Sequence, residues 1–521
     1  MLPAGRTVHG PRGMVCSVDH LASSAGVSIL REGGSAADAA VATSAVLAVT
    51  TQHMCGMGGD LFALVHDATA PAPRALAAVG RAGSGADAAA MRAEGLTAMP
   101  PLGDVRTATV PGCVDGWLAL HERFGRLPLA EVLEPAIGYA RDGFPASPLL
   151  AASVPSIAAL AGADDYRIEG LRPGGRVRRP LVAQVLEAIV TGGREAFYEG
   201  SFGAGLQQLG EGLFTPDDLA RSLADWVEPL RVTAWDHDVW TVPPPSQGYL
   251  TLASAWIADG LELPDDTEGP AWVHLLAEAA RVAGHDRLDV LYDGANGGEL
   301  LAPERLAPRR ASIDPGRRGM PSADTRGGGT IYLCAVDSDA MGVSLIQSNA
   351  AGWGCHLVVP GTGIFLHNRG IGFSLDPGHP AELAPDRRPP HTLSPAVVTA
   401  GGALRSVLGT MGGDIQPQVV LQLLARILRN GQSPGTAVRA PRWMLGSGGF
   451  DTWAGGGPQS MAIEADAPEA WVDGLVERGH HVVRAGRWTN FGHAHAIVVG
   501  ADGMLSGASD PRALSGAAIA W

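Results

Sequence analysis

Apolar residues follow two different periods along the chain, and each period predicts a different element. After residue 330 they alternate or form short continuous runs, as in Ile331 to Val336 and Gly342 to Gln347, which are joined by the polar segment 337–340. This pattern is typical of a β-hairpin. Further apolar runs predict strands at 361–366, 394–399, 406–408, near residue 482 and at 495–499. The C-terminal part of the chain is therefore expected to be rich in strands.

Before residue 330, apolar residues recur mostly at helical spacing. The most apolar of these segments runs from Ala36 to Val49, and Asp38 is its one charged residue, so we expect this helix to be buried on nearly all sides. Other helices are predicted at 19–30, 127–141, 179–190, 271–284, from residue 249 onward, and at 416–428. Helix pairs alternating with strand pairs indicate helices on both faces of two stacked sheets.

A glycine run precedes the first of the C-terminal strands. Gly327, Gly328 and Gly329 lead directly into Thr330, in a polar, loop-rich section that we place at residues 285–329. If the Thr330 hydroxyl attacked the Gly329 carbonyl, the chain would be cut between them. The new α-amino group would then be a base for the threonine hydroxyl. Taken alone, these residues favour a simpler interpretation, in which a threonine merely begins a strand.

Composition excludes several classes of protein. The 521 residues carry a net charge of −15, so binding to nucleic acid or to an anionic membrane is not expected. The five cysteines are odd in number, and none of them are spaced as the paired ligands of a metal site would be. We therefore expect reduced, buried thiols, no metal site and no cofactor. The first residues contain no apolar stretch of signal-peptide length, and no long apolar segment follows. A cytoplasmic protein is the resulting expectation.

Several short motifs, in order along nearly the whole chain, resemble the γ-glutamyltransferase family of N-terminal-nucleophile hydrolases. They are the segments 34–42, 56–60, 109–112, 330 with its strand, 393–395, 409–413 and 510–512. The resemblance implies an α/β (α+β) fold of four layers, αββα. It also implies a precursor that cuts itself at Gly329 and Thr330. The products would be a large subunit, 1–329, and a small one, 330–521, which together form one body.

The same resemblance assigns the catalytic residues. Thr330 is implied as the nucleophile that forms an acyl-enzyme and passes the acyl group to water or an amine. Gly412 and Gly413 match the paired glycines whose backbone N–H groups form the oxyanion hole, and Ser348 matches a hydroxyl residue that hydrogen-bonds the nucleophile. Such donors suit the task because they are fixed before the charge develops.

The resemblance also implies a substrate pocket, in which the chain departs from the family. Arg81 matches the arginine that holds the substrate's α-carboxylate, Thr392 matches a pocket serine, and Asn349 is expected to contact substrate. Arg369 and Gly372, however, replace a glutamine and an aspartate that help to hold the α-ammonium group. Exchanging a carboxylate for a guanidinium favours an anionic ligand over a cationic one.

Three further differences separate the chain from the family pattern. Ile331 replaces the usual threonine after the nucleophile, and His391 replaces the first pocket serine, so we also assign His391 to substrate binding. The proline-rich loop 374–390 is short for the family's lid, which predicts a more open site.

These observations leave several functions open. The leading hypothesis is a hydrolase of a small amide, γ-glutamyl or another carboxylated acyl group, with possible transfer to an amine. Alternatives are an amidohydrolase of oxamate-like amides and a hydrolase of carbon–carbon bonds in a natural-product pathway. A different class, an uncleaved and inactive binding protein, is motivated by the changes at Ile331, Arg369 and Gly372. For the leading hypothesis, the expected partners are the small amide substrate and the two subunits of the chain's own precursor, and a homo-oligomer is an open alternative.

Overall fold

A computed structural model describes residues 5–319, 330–446, 452, 460–486 and 490–521. Its strands are β1 Val8–Gly10, β2 Met14–Ser17, β3 Asp60–His66, β4 Arg74–Ala78, β5 Phe144–Pro145, β6 Arg176–Val177, β7 Ala224–Val227, β8 Leu230–Ala234, β9 His237–Thr241, β10 Ile331–Val336, β11 Gly342–Ser348, β12 Val358–Val359, β13 Ile364–Phe365, β14 Ala396–Ala400, β15 Ala403–Thr410, β16 Trp443–Leu445, β17 Ser460–Glu464, β18 His481–Ala485, β19 Ala494–Val499, β20 Leu505–Ser509 and β21 Ala517–Ala520.

The helices belong to two groups, one on each side of the sheets. They are α1 His20–Arg31, α2 Ala36–Thr50, α3 Ala88–Ala93, α4 Cys113–Phe124, α5 Leu129–Asp142, α6 Pro148–Ser153, α7 Pro180–Tyr198, α8 Ser201–Leu209, α9 Pro216–Ala220, α10 Tyr249–Asp259, α11 Pro270–Gly284, α12 Arg287–Val290, α13 Gly297–Leu300, α14 Pro303–Ala311, α15 Gln416–Leu424, α16 Pro434–Arg439 and α17 Glu469–Glu477.

Two seven-stranded sheets form the centre of the molecule. One has the order β1-β20-β19-β15-β14-β9-β8 and the other β21-β2-β10-β11-β3-β4-β7, with antiparallel neighbours throughout. Helices including α2, α4, α5 and α7 cover the outer face of the second sheet, and α10, α11 and α15 cover that of the first. The predicted four-layer αββα fold is confirmed.

The alternation within β10 explains how one strand belongs to two cores. Ile331, Leu333 and Ala335 pack in the cluster beneath the helices, whereas Tyr332 and Cys334 pack in the cluster between the sheets. A strand in an inner layer must bury both faces, so its two alternating sets are both apolar. The sequence of β10 is therefore apolar at every position.

Most of the predicted elements are present. β10 and β11 form the expected antiparallel hairpin, with Ile331 opposite Gln347, and every residue of α2 is buried. All five cysteines are buried and free, as expected. The loop 374–390 has one isolated bridge, between Ser374 and Glu382.

Three elements differ in detail from their predictions. The described part of the section predicted to be polar and loop-rich, residues 285–319, contains three short helices, α12 to α14, joined by loops. The apolar run 361–366 forms only the two-residue strand β13, paired with β12. The helix predicted at 416–428 is α-helical to Leu424 and then continues as a π-helical turn to Arg429.

Candidate active site

The side chains of Thr330 and Ser348 meet at the open end of the β10–β11 hairpin. Ile331 pairs with Gln347 in this antiparallel hairpin. Thr330, just before Ile331, therefore falls opposite Ser348, just after Gln347. The Oγ1 atom of Thr330 lies 2.9 Å from Oγ of Ser348, and both residues are buried. The structure thus brings together the predicted nucleophile and its predicted hydroxyl partner.

Two neighbouring backbone segments fix Ser348. The N–H of Ala350 donates to its Oγ at 2.8 Å. The Gly58-Gly59 turn packs against it, since a Cβ atom built on Gly59 would lie 2.3 Å from the carbonyl oxygen of Ser348. The hydroxyl next to Thr330 therefore has a defined position, and the glycine at 59 is needed for close packing.

Gly412 and Gly413 follow the end of β15 in a backbone conformation that favours glycine, with φ values of 141° and 61°. Among the described residues, no acceptor is hydrogen-bonded to either N–H group. Two buried donors without an acceptor can bind a negatively charged oxygen.

The glycine pair and the hairpin lie at the same end of the sandwich. Ser348 pairs with Asp60 at the start of β3, and the buried ring of His391 lies 3.6 Å from Oδ2 of Asp60 through its Nε2 atom. The following residue, Thr392, is joined to Gly413 through the side chain of Gln247. A continuous set of contacts thus connects Ser348 to the loop after β15.

Asp60 joins three loops around this end. Its Oδ1 accepts hydrogen bonds from the N–H groups of Gly80 at 2.9 Å and Gly112 at 3.1 Å. Its Oδ2 lies 3.4 Å from Nδ1 of His367. These contacts explain why the segments 56–60 and 109–112 occur together in the sequence pattern.

A cavity of about 270 Å³ opens beside this group of residues. Buried Arg369, Thr392 and Asp414 line it together with Arg287, and the exposed Asp376 lies at its rim. Its apolar wall consists of Leu288, Leu291, Ile371, Phe373, Ala381 and Pro390. A few polar groups among apolar side chains are typical of a small-molecule site.

Burial perturbs the titratable groups of this region. It lowers the pKa of Arg369 to about 10, although the nearby carboxylate of Asp60 opposes the effect. Burial, with a contribution from Arg369, also lowers the pKa of His391 far below its ordinary value, so this ring is neutral. The pKa of Asp414 is raised, again because the carboxyl is buried.

Asp414 does not cap the helix that follows it. The N-cap of α15 is Ile415, and no side chain caps the helix there. Oδ1 of Asp414 instead lies 3.4 Å from Nη2 of Arg287. The carboxyl of Asp414 thus lies near a guanidinium of the cavity wall and does not bond to the helix end.

Arg81 lies in a different environment from Arg369. It lines another cavity, of about 310 Å³, and its guanidinium lies between 3.7 and 3.9 Å from the carboxylates of Asp225, Asp293 and Asp386. It also donates to the carbonyl oxygen of Asp386 at 2.9 Å. Arg81 therefore contacts the loop 374–390, and its contact with a substrate carboxylate stays a prediction.

Asn349 directly follows Ser348, and His391 lies beside Asp60, but the two side chains have different partners. Nδ2 of Asn349 donates to the carbonyl oxygen of Gln52 at 2.9 Å, whereas its Oδ1 has no partner among the described residues. The ring of His391 packs edge-on against Phe62, with centroids 5.3 Å apart, and does not line the cavity. Gly329, the other half of the predicted cleavage site, lies outside the described residues.

Sequence reasoning missed Arg287, Gln247 and the position of Asp414 in the cavity. Gln247 lies in a proline-rich loop, 243–248, and Arg287 lies in a polar stretch. Neither position shows a local signal. Among the described residues there is no metal-binding group of three or more ligands, and no described helix has the length and apolar character needed to cross a bilayer.

Relatives with known names cover the whole chain. A glutathione hydrolase-like proenzyme of Bacillus subtilis is 36% identical, over 99% of this chain and 99% of that protein. An oxamate amidohydrolase proenzyme of Klebsiella pneumoniae is also 36% identical, over 97% and 98%. The solved structure of a cephalosporin acylase from Bacillus halodurans is 32% identical and superimposes with a TM-score of 0.90, over 99% of this chain and 97% of that one.

The family comparison agrees with these relatives. The pattern described as gamma-glutamyltranspeptidase matches residues 22–520. This range includes the hairpin with Thr330 and Ser348 as well as the Gly412-Gly413 loop. The chain belongs to the γ-glutamyltranspeptidase family of N-terminal-nucleophile hydrolases, enzymes that act on amide bonds.

Proposed function

We propose that the chain cuts itself between Gly329 and Thr330 and then hydrolyses a small carboxylated amide through an acyl-enzyme on Thr330. The observation that carries this proposal is the 2.9 Å contact between Thr330 Oγ1 and Ser348 Oγ. The same end of the sandwich holds Gly412 and Gly413, whose N–H groups have no acceptor within the described part of the chain. A nucleophile, a hydroxyl that orients it and donors for an oxyanion are the parts that acyl transfer needs.

The self-cleavage is an N-to-O acyl shift. Oγ1 of Thr330 attacks the carbonyl carbon of Gly329, the peptide C–N bond breaks, and an ester joins the two residues. The amide nitrogen takes the hydroxyl proton as the C–N bond breaks and becomes the α-amino group of Thr330. Water then hydrolyses the ester, which releases the carboxylate of Gly329 and restores the hydroxyl of Thr330. The products are the large subunit 1–329 and the small subunit 330–521.

In the processed enzyme the new amino group serves as the base. Such groups titrate at about 7.7 to 8.0 in model peptides, so roughly a tenth is neutral at pH 7 and about half near pH 8. The amine accepts the hydroxyl proton of Thr330 as Oγ1 attacks the substrate carbonyl, and the N–H groups of Gly412 and Gly413 stabilise the oxyanion. The proton passes to the leaving amine, and water or an acceptor amine then takes the acyl group.

The charges of the cavity favour an acyl group with a carboxylate and without an ammonium group. Two guanidinium groups, of Arg287 and Arg369, face the single buried carboxylate of Asp414. The contact of 3.4 Å between Arg287 and Asp414 is longer than a strong charge-assisted hydrogen bond, so the guanidinium retains capacity for a ligand carboxylate. Arg81 is assigned to the same substrate, together with Thr392, His391 and Asn349 as pocket residues.

A second candidate substrate is a very small carboxylated amide such as oxamate. The relative from Klebsiella pneumoniae, 36% identical over nearly the whole chain, is named as an oxamate amidohydrolase, and this supports the candidate. Both candidates use the same nucleophile and the same cationic wall.

Matched substrates test the proposal. Glutaryl p-nitroanilide and γ-glutamyl p-nitroanilide differ only in the α-ammonium group, and pentanoyl p-nitroanilide lacks the carboxylate as well. We expect turnover of the glutaryl compound or of oxamate, with less from the γ-glutamyl compound. Faster turnover of the γ-glutamyl compound, with transfer to glycylglycine, would refute our assignment of the cavity.

Self-cleavage has its own test. Intact mass spectrometry of the purified protein should show two fragments divided between Gly329 and Thr330, and the substitution Thr330→Ala should leave one chain without activity. A wild-type chain that stays whole and inert on long incubation would instead favour the inactive binding protein. A cytoplasmic location and a homo-oligomer remain predictions, to be checked by fractionation and by light scattering.

A further inference from the structure

A buried amide side chain, Gln247, joins the glycine pair to the substrate pocket. Its Nε2 donates to the carbonyl oxygen of Gly413 at 3.0 Å and to that of Thr392 at 2.9 Å. Its Oε1 accepts a hydrogen bond from Nε of Arg287 at 2.9 Å. Gln247 is fully buried, so these bonds form in a low-dielectric interior, where each is strong and each loss is costly.

The two carbonyl groups depend on Gln247 to different degrees. The Thr392 segment is also held by its backbone, since Gln247 N–H donates to the carbonyl oxygen of His391 at 2.9 Å and His391 N–H donates to that of Pro245 at 2.7 Å. The carbonyl of Gly413 has, among the described residues, one other donor, the N–H of Gln416 at 3.3 Å. Loss of the amide group would therefore loosen Gly413 more than Thr392.

Arg287 determines which way the amide of Gln247 points. Because Nε of Arg287 occupies Oε1, the NH₂ group must face the two carbonyl oxygens. Arg287 also lines the cavity of about 270 Å³ and approaches Asp414. An acyl carboxylate bound to this guanidinium would thus contact the side chain that orients Gln247.

We propose that Gln247 is a positioning residue that fixes the Gly412-Gly413 backbone for oxyanion binding, and that Arg287 holds Gln247 in the required orientation. This inference rests on the proposed function, because the orientation of these N–H groups affects a rate only if they stabilise an oxyanion. The bonded carbonyl belongs to the peptide plane after Gly413, and the N–H of Gly413 belongs to the plane before it. Glycine has no side chain to restrict rotation between the two planes, so the direction of this N–H depends on how firmly the second plane is held. Oxyanion donors are effective because they are oriented before the reaction.

The substitution Gln247→Met removes the amide group at nearly constant volume. With the anilide or oxamate that the wild type hydrolyses fastest, we expect kcat to fall at least about tenfold and KM to change less than about threefold, since losing an oxyanion donor outright costs about 10² to 10³ in kcat. Gln247→Glu keeps an acceptor for Arg287 but places an oxygen against two carbonyl oxygens, so its loss should be at least as large.

Gln422 offers a matched control. It is a buried glutamine whose Nε2 also donates to two carbonyl oxygens, those of Gln418 at 3.1 Å and Trp443 at 2.9 Å. Gln422→Met removes the same kind of amide donor from α15, but neither Gly413 nor Thr392 loses a hydrogen bond. If kcat depends on the orientation of the glycine pair, kcat of this variant should stay within about twofold of the wild type.

Hydrogen exchange supplies a readout that does not depend on turnover. Peptides that cover residues 409–416 should exchange at least about threefold faster in Gln247→Met than in the wild type, and unchanged in Gln422→Met. Unchanged exchange, or a kcat within twofold of the wild type in Gln247→Met, would overturn the inference while leaving the proposed function intact. A wild-type protein that neither cuts itself nor hydrolyses any of the amides would overturn both.

Discussion

Oδ1 of Asp414 and Nη2 of Arg287 lie 3.4 Å apart in the wall of the cavity, so a substrate carboxylate would compete with a resident one. Removing that resident charge with Asp414→Asn should strengthen binding of an anionic acyl group. We expect KM for glutaryl p-nitroanilide to fall about fivefold, which corresponds to roughly 1 kcal/mol, and KM for pentanoyl p-nitroanilide to stay constant.

Asp376 provides the control for this prediction. It lines the same cavity, but it lies exposed at the rim, where water and salt screen its charge. Asp376→Asn should change KM less than about twofold. If both substitutions had equal effects, the contact between Asp414 and Arg287 would have no special part in substrate binding.

The contact between Thr330 and Ser348 predicts the effect of Ser348→Ala. Loss of one hydrogen bond to the nucleophile costs about 1 to 1.5 kcal/mol, so self-cleavage and turnover should each slow about tenfold. Gel electrophoresis over time and initial rates would measure both. Ser344→Ala is the control on the same strand, since Ser344 lies 2.9 Å from the hydroxyl of Tyr332 and not from Thr330. Equal slowing in both variants would indicate a general loss of packing.

His53 predicts how stability depends on pH. Burial, with a smaller contribution from nearby His493, lowers its pKa to about 3. The folded protein therefore keeps this ring neutral, whereas the unfolded chain binds a proton below about pH 6.5. The stabilisation is complete above that pH and is lost as the pH falls toward 3.

Urea unfolding at pH 6.5 and pH 5.0 measures this contribution. As the pH falls from 6.5 to 5.0, the free energy of unfolding should decrease in the wild type by about 1 to 2 kcal/mol more than it does in His53→Leu. His9→Gln, at an exposed ring that lies 2.9 Å from Ser506, is the control. An identical pH dependence in His53→Leu and the wild type would contradict the assignment.

Arg81 can act on the substrate or on the loop that it contacts. If it binds the acyl carboxylate, Arg81→Gln should raise KM for glutaryl p-nitroanilide about tenfold or more and leave that for pentanoyl p-nitroanilide unchanged, since hydrogen bonds to charged groups contribute about 1.5 to 3 kcal/mol. Arg221, which also pairs with Asp386, is the matched control. Equal effects on both substrates would show that Arg81 acts by holding Asp386 and its loop.

The elements were largely predictable because their signals are local. The alternation in β10 and the uniformly apolar α2 follow from which faces each element must bury. The turn that joins β10 to β11 is short, residues 337–341. The contact between Thr330 and Ser348 then follows from its register.

The pocket was less predictable because its contacts join distant segments. Gln247 meets Gly413 across 166 residues, and Arg287 meets Gln247 across 40. Asp414 directly precedes Ile415, the N-cap of α15, yet its carboxyl lies 3.4 Å from Arg287 and does not cap the helix. No pattern in one sequence shows what a single polar side chain such as that of His391, in an isolated bridge with Ser246, will contact.

The order of the strands has a consequence for the two products of a cut before Thr330. In one sheet β10 and β11 from the small subunit insert between β2 and β3 of the large one, and in the other β9 of the large subunit pairs with β14 of the small. Neither product contains a complete sheet. Cleavage would therefore change the chemistry at one residue without making two bodies that can part, and separated chains could recover activity only by folding together.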